Sequence, residues 1–171
     1  MNDNCRGELD GVGFIPDADS AINGLPINAA GLIPHGPSIR MIDRLTRASE
    51  LEAEADFVVP RDGPFISDDG YLDETAYVEM IAQALAAWRT FDLKKDEEPL
   101  HMGLLLGVSD LHIAQQVRAG DQLQIHVLKV TYCGPFGVAQ GTIRKQDGTV
   151  VAQGELKIWQ SSASPAEMAD K

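Results

Sequence analysis

The stretch "DETAYVEMIAQALAAWRT", residues 73–90, decides the fold. From Ala76 to Trp88 every residue is apolar or aromatic except Glu79 and Gln83. Asp73 and Glu74 stand in the expected first turn, where carboxylates favour the free N–H groups and the helix dipole. "WRTFDLKKDEEP" closes the helix with basic residues and then Pro99. A helix that is apolar all round is enclosed rather than laid on a surface. In a chain of 171 residues the natural enclosure is a sheet that curls around it. Glu79 and Gln83 are then i, i+4 neighbours on one face of an otherwise dry helix.

The rest of the chain supplies that sheet. Leu51, Ala53, Ala55, Phe57 and Val59 alternate with mostly acidic residues, which predicts a strand with one wet face. Leu123, Ile125 and Val127 do the same after the turn "AGD". Residues 137–160 read as a hairpin with Asp147-Gly148 as its two-residue turn. Its outgoing strand sets Val150, Ala152, Leu156 and Ile158 on one face. "HMGLLLGVSDLHI", residues 101–113, is more uniformly apolar and predicts a central strand. "SIRMIDRLTRA", residues 38–48, predicts the first strand. One helix among about six mostly antiparallel strands is an α+β pattern.

The flanks differ in composition. Residues 1–30 are rich in Asp, Asn, Gly and Ala without periodicity and predict a flexible arm. "DADSAING" starts like a calcium loop, but Ala21 stands where a ligand is needed. Residues 161–171 predict a disordered tail, which leaves residues 31–160 as the domain.

A formal charge of −12 excludes the basic face of a nucleic-acid binder and disfavours docking on anionic lipid. No apolar run reaches the length of a membrane span. "MNDNCRGELDG" lacks the basic start and apolar core of a signal peptide, so the expected location is cytoplasmic. Cys5 and Cys133 form no CxxC pair and predict two free thiols. No two histidines have metal-ligand spacing, so no metal site is expected.

Two readings stand for Glu79. It pairs with an arginine across an interface or lies on a wet face, or it is a carboxyl held by Gln83 that serves as a proton donor. Residue patterns beyond the helix bear on the choice. "LIPHGPSIRMIDRL", residues 32–45, resembles the opening segment of the β-hydroxyacyl-(acyl-carrier-protein) dehydratases of the hot-dog fold. "VEMIAQALAA", residues 78–87, is similar to their central-helix signature, an acidic residue followed four positions later by glutamine. Residues 104–127 resemble their third-to-fourth strand region, and residues 141–158 their closing hairpin. The "LPH"-like opening, the helix and "GLLLG" resemble most a dehydratase-like subgroup associated with aryl-polyene lipid synthesis.

The resemblance implies a curved antiparallel sheet wrapped around one helix, paired with itself or a sister hot-dog subunit. It implies a tunnel at the dimer interface for an acyl chain carried on the phosphopantetheine of an acyl carrier protein, with no other cofactor. Glu79 matches the family's catalytic acid and Gln83 the amide that holds it. The family's base is a histidine in a "GHFPG" type of loop before the helix. Here that loop reads "RDGPFISDDGYLDETAY", without a histidine.

Two sources of the base stay open: a sister hot-dog subunit, or His35 in "IPHGP", which lies in the shared opening motif beside a turn. His101, His112 and His126 read as surface or merely hydrogen-bonded imidazoles. Gly103 and Gly107 flank "LLL" and mark a close approach by substrate, or a β-bulge. Arg40, Arg44, Arg89, Lys94, Lys95 and Arg118 are candidates for docking an acidic carrier protein. Trp88 and Trp159 read as packing.

Three functions follow as alternatives. The first is a 3-hydroxyacyl dehydratase, active alone or as one subunit of a hetero-oligomer. The second is a hot-dog thioesterase in which a carboxylate activates water. The third is a non-catalytic acyl-binding partner subunit. Fold alone does not choose among them.

Overall fold

The computed structural model describes residues 24–95 and 103–160. Its elements are β1 (Ile27–Asn28), a 3₁₀ turn (Ala29–Gly31), β2 (Arg44–Ala48), β3 (Glu52–Val58), α1 (Thr75–Lys95), β4 (Gly103–Ile113), β5 (Gln122–Cys133), β6 (Phe136–Lys145) and β7 (Val150–Gln160). Among the described residues the strands form one seven-stranded antiparallel sheet in the order β1-β2-β3-β5-β6-β7-β4. Residues 27–30, assigned by the sequence to the arm, pair with β2 and pack on the core through Ala29. Residues 1–23 of the expected arm, the C-terminal tail, Cys5 and His101 lie outside the described residues.

Period-two patterning sets the sheet's inner face. Ala53, Ala55 and Phe57 of β3 are buried, as are Leu123, Ile125 and Val127 of β5. Ala139 and Ile143 of β6 and Ala152, Leu156 and Ile158 of β7 complete it. Against this face lie Tyr77, Met80, Ile81, Ala84, Leu85 and Trp88 of α1. The helix packs tightly on the sheet at Gly141, where a Cβ atom would overlap the side chain of Ile81. Trp88 is fully buried, and its indole N–H donates to Ser49 O at 3.1 Å.

The helix starts one residue later than the acidic pair suggested. Asp73 caps it from outside, its Oδ1 accepting from Thr75 N at 2.8 Å and from Thr75 Oγ1 at 2.5 Å. These bonds hold the Asp73 carboxyl below its usual range. The segment that follows β4 is fixed by Tyr77, whose hydroxyl accepts from Val117 N at 3.2 Å and donates to Gln115 O at 3.4 Å. Burial raises the Tyr77 hydroxyl above its usual pKa, so it stays protonated.

Three expectations need correction. β4 is not central; it is the last strand of the sheet. Leu104, Leu105, Leu106, Val108 and Leu111 are all exposed in it. Second, the first long strand is β2, shorter than residues 38–48, because residues 38–43 cross the helix instead of pairing along it. Third, α1 is not enclosed on every side. Val78, Glu79 and Ala82 are only half-buried, and Ala86 is exposed.

Candidate active site

The open stripe of α1 and the segment after the 3₁₀ turn face each other across a cavity of about 670 Å³. From the helix come Glu79, Ala82, Gln83, Ala86, Arg89 and Leu93, recurring every three or four residues on one face. Leu32, Ile33, Pro34 and His35 form the opposing wall. Gly103, Leu104 and Leu105 of β4 and Ile158 of β7 close one side. The lining is mostly apolar with a few convergent polar groups, as expected for a site that takes an apolar ligand.

Gln83 organises the polar end. It is 1% exposed, and both ends of its amide are used. Its Oε1 accepts from Met41 N at 2.7 Å, and its Nε2 donates to Ile39 O at 2.8 Å. The same Nε2 donates to Glu79 Oε1 at 2.7 Å. One buried amide thus pins the crossing segment to the helix and fixes the Glu79 carboxylate.

His35 meets that carboxylate from the other side, with Nε2 3.4 Å from Glu79 Oε1. Among the described residues both recorded contacts of the carboxylate fall on Oε1. Oε1 thus accepts from Gln83 Nε2 and faces His35 Nε2. The Nδ1 atom of His35 is buried without a hydrogen-bond partner. The Glu79 side chain is 38% exposed, so the site opens toward solvent rather than being sealed in the core.

Glu79, Gln83 and His35 come together, and Gly103 lines the same cavity. Gly107 does not line it. It lies opposite Lys157, where β4 shifts register after Leu105, and a Cβ there would meet nothing within 4 Å. His126 bonds Glu52 Oε2 at 2.9 Å, and His112 is exposed on β4. Of the six basic residues considered for carrier docking, Arg89 and Lys94 line the cavity instead. Arg44 is engaged by Asp56, and Arg118 lies over the Tyr71 ring at 4.2 Å. The sequence reading missed Ala82, Ala86 and Arg89 as cavity residues. The signal was present, since the face begun by Glu79 and Gln83 continues through them.

This constellation can be set beside known proteins. Residues 27–170 match the family model described as ApeP-like, ApeP dehydratase. The chain belongs to the ApeP-like dehydratase family. The family foreseen from four motifs is therefore the one found. A curated relative of this ApeP-like chain, 3-hydroxyacyl-[acyl-carrier-protein] dehydratase FabZ of Anaeromyxobacter dehalogenans (strain 2CP-C), is 30% identical over 133 residues, covering 73% of this chain and 83% of that protein. Among solved structures, the dehydratase heterocomplex ApeI:P from Xenorhabdus doucetiae matches with a TM-score of 0.73 and 25% identity, covering 85% of this chain and 99% of that one. A hypothetical thioesterase from Streptococcus pneumoniae TIGR4, solved with coenzyme A, matches at a TM-score of 0.57 and 12% identity over 70% of this chain and 86% of that one. That last likeness concerns the fold alone, which is the hot-dog fold. No helix among the described residues is long and apolar enough to cross a membrane.

Proposed function

We propose that this ApeP-like chain dehydrates 3-hydroxyacyl groups held on the phosphopantetheine of an acyl carrier protein, in an assembly with a second hot-dog subunit. The observation that carries the reading is the Glu79 carboxyl, held by Gln83, touched by His35, and set in the wall of an apolar cavity. The family match and the FabZ relative support the reaction class. The exposed apolar residues of β4 and the heterocomplex among similar structures support the assembly.

In the proposed step a base removes the α-proton of the thioester, and that C–H electron pair forms the α,β double bond. The bond from the β-carbon to its hydroxyl breaks as the Glu79 carboxyl gives up its proton, so water leaves. The reaction is redox-neutral and needs only acid and base. His35 Nε2 is this chain's candidate base. Its 3.4 Å approach to Glu79 would let the proton it gains return to the carboxyl for the next cycle. The competing source of the base is a histidine of the second subunit, since the segment before α1 has none. Gln83 keeps Glu79 in place, and Gly103 allows substrate to lie against β4. The reading places the protein in the cytoplasm, alongside a soluble carrier.

The test is mass spectrometry of a 3-hydroxyacyl carrier protein incubated with the chain alone and with a second hot-dog subunit. Loss of water that depends on Glu79 is the expected result. Retention of that activity by His35→Ala in the two-subunit sample would assign the base to the partner. Release of free acid would overturn the reading in favour of a thioesterase. An unchanged carrier in both samples would overturn it as well.

A further inference from the structure

Two nitrogens stand near Glu79 Oε1, Gln83 Nε2 at 2.7 Å and His35 Nε2 at 3.4 Å. They come from facing walls of the cavity, one from α1 and one from the segment after the 3₁₀ turn. Backbone bonds fix the chain on both flanks of His35. Before it, Leu32 N and Ile33 N donate to Ala29 O at 2.9 and 3.0 Å. After it, Ile39 N and Arg40 N donate to Gly36 O at 3.1 and 2.9 Å, and the Gln83 amide ties Ile39 O and Met41 N to the helix. The imidazole thus leaves a pinned stretch of backbone with Nε2 toward the carboxyl.

Its other nitrogen decides what the ring does there. A neutral imidazole carries one hydrogen, so for Nε2 to take a proton that hydrogen must stand on Nδ1. A histidine that works as a base has a third group accepting from its far nitrogen, which fixes the tautomer and steadies the charged ring. His35 Nδ1 is buried and has no hydrogen-bond partner among the described residues. A hydrogen placed there would be an orphaned buried donor, a group that folded proteins rarely keep. A hydrogen on Nε2 instead faces an oxygen.

We infer that His35 is a positioning residue and not the base: its hydrogen stands on Nε2, and it donates to Glu79 Oε1 to steady the acid. The inference rests on the dehydratase reading, and it leaves the second subunit as the source of the base. The last torsion of a glutamate is broad, so one donor from the helix leaves the carboxyl room to swing. A second donor from the facing wall narrows that swing, and the 3.4 Å approach shortens as the site closes on substrate.

The experiment uses the two-subunit enzyme with a carrier-bound 3-hydroxyacyl substrate and compares His35→Gln with His35→Met. Both keep the bulk of the side chain and neither can act as a base, but only glutamine sets an N–H donor where Nε2 stood. His35→Gln is expected to keep kcat within about three-fold of the wild type. His35→Met is expected to fall by about ten-fold or more, the worth of one hydrogen bond to a charged group. A base role predicts a loss of about 10²-fold or more in both variants, and a packing role predicts equal effects. Either result overturns the inference, as do wild-type rates in both. Nitrogen NMR of the histidine-labelled wild type reads the tautomer even where a variant fails to fold. The His35 signal is the one missing from His35→Gln. A hydrogen on Nε2 alone supports the assignment, and a hydrogen on Nδ1 overturns it. A wild type that dehydrates nothing removes the dehydratase reading itself, a failure that the tautomer measurement keeps distinct.

Discussion

Gln83 Nε2 lies 2.7 Å from Glu79 Oε1 and 2.8 Å from Ile39 O, so one amide ties a helix carboxylate to the backbone of the segment that crosses it. Met41 N completes the arrangement by donating to Gln83 Oε1. Replacing Gln83 with leucine leaves Met41 N and Ile39 O without partners in a buried setting. The expected loss is about 2 kcal/mol, read from the shift of a urea unfolding midpoint, together with loss of turnover. Unchanged stability would mean that water replaces the amide, and would remove Gln83 as the clamp.

Glu79→Gln separates chemistry from folding. Its side chain is 38% exposed, and glutamine keeps an oxygen for the Gln83 donor. Unfolding should move by no more than about 0.5 kcal/mol. Dehydration should fall by about 10²-fold or more, since the proton for the departing hydroxide is gone. Steady-state rates with carrier-bound substrate check this, and full activity would sink the acid role.

Leu106, 56% exposed, is the extra residue where β4 shifts register between Leu105 and Gly107. A lysine there adds charge to an edge without disturbing any buried contact. Leu106→Lys is expected to keep its circular dichroism spectrum and to weaken assembly in sedimentation velocity. Assembly at wild-type strength would place the interface elsewhere.

Gly141 admits Ile81 against the sheet because it has no Cβ. Gly141→Ala should destabilise by about 1–3 kcal/mol through overpacking. Combined with Ile81→Ala, the two changes should offset each other, giving a coupling above about 0.5 kcal/mol in a double-mutant cycle. Strict additivity would show that the sheet yields locally instead.

Acid should weaken the fold in a definable window. Thr75 hydrogen bonds hold Asp73 below its ordinary value of 3.8, and the backbone N–H of Thr149 does the same for Asp147 in the hairpin turn. With the folded pKa lowered, the unfolded chain binds more protons there. The contribution is fully present above the unfolded value and is lost as pH falls through the lower, folded one. Stability measured from pH 5 downward should therefore drop less steeply in Asp73→Ala than in the wild type. Parallel curves would contradict the cap's part in acid sensitivity.

Much of this architecture was legible in the residue pattern. The period-two runs of β3 and β5 name their buried residues directly, and the apolar helix called for a wrapping sheet. The place of β4 was not legible. A run such as "GLLLGV" looks alike whether neighbours cover it within the chain or leave it at an edge, since periodicity records dryness and not its source. The extent of β2 was lost for another reason. Residues 38–43 alternate like a strand, yet Met41 N and Ile39 O are taken by Gln83, a side chain far away in sequence, while Ile39 N and Arg40 N turn back to Gly36 O. The pairing of His35 with Glu79 depends on that crossing, and no spacing in the chain encodes it.

Leu104 and Leu105 belong at once to the cavity wall and to the exposed edge of the sheet. Whatever covers that edge therefore also shapes the chamber behind it. In the proposed assembly, a companion seated on β4 would touch the same leucines that wall the chamber, so a change of companion there would also change the chamber's wall.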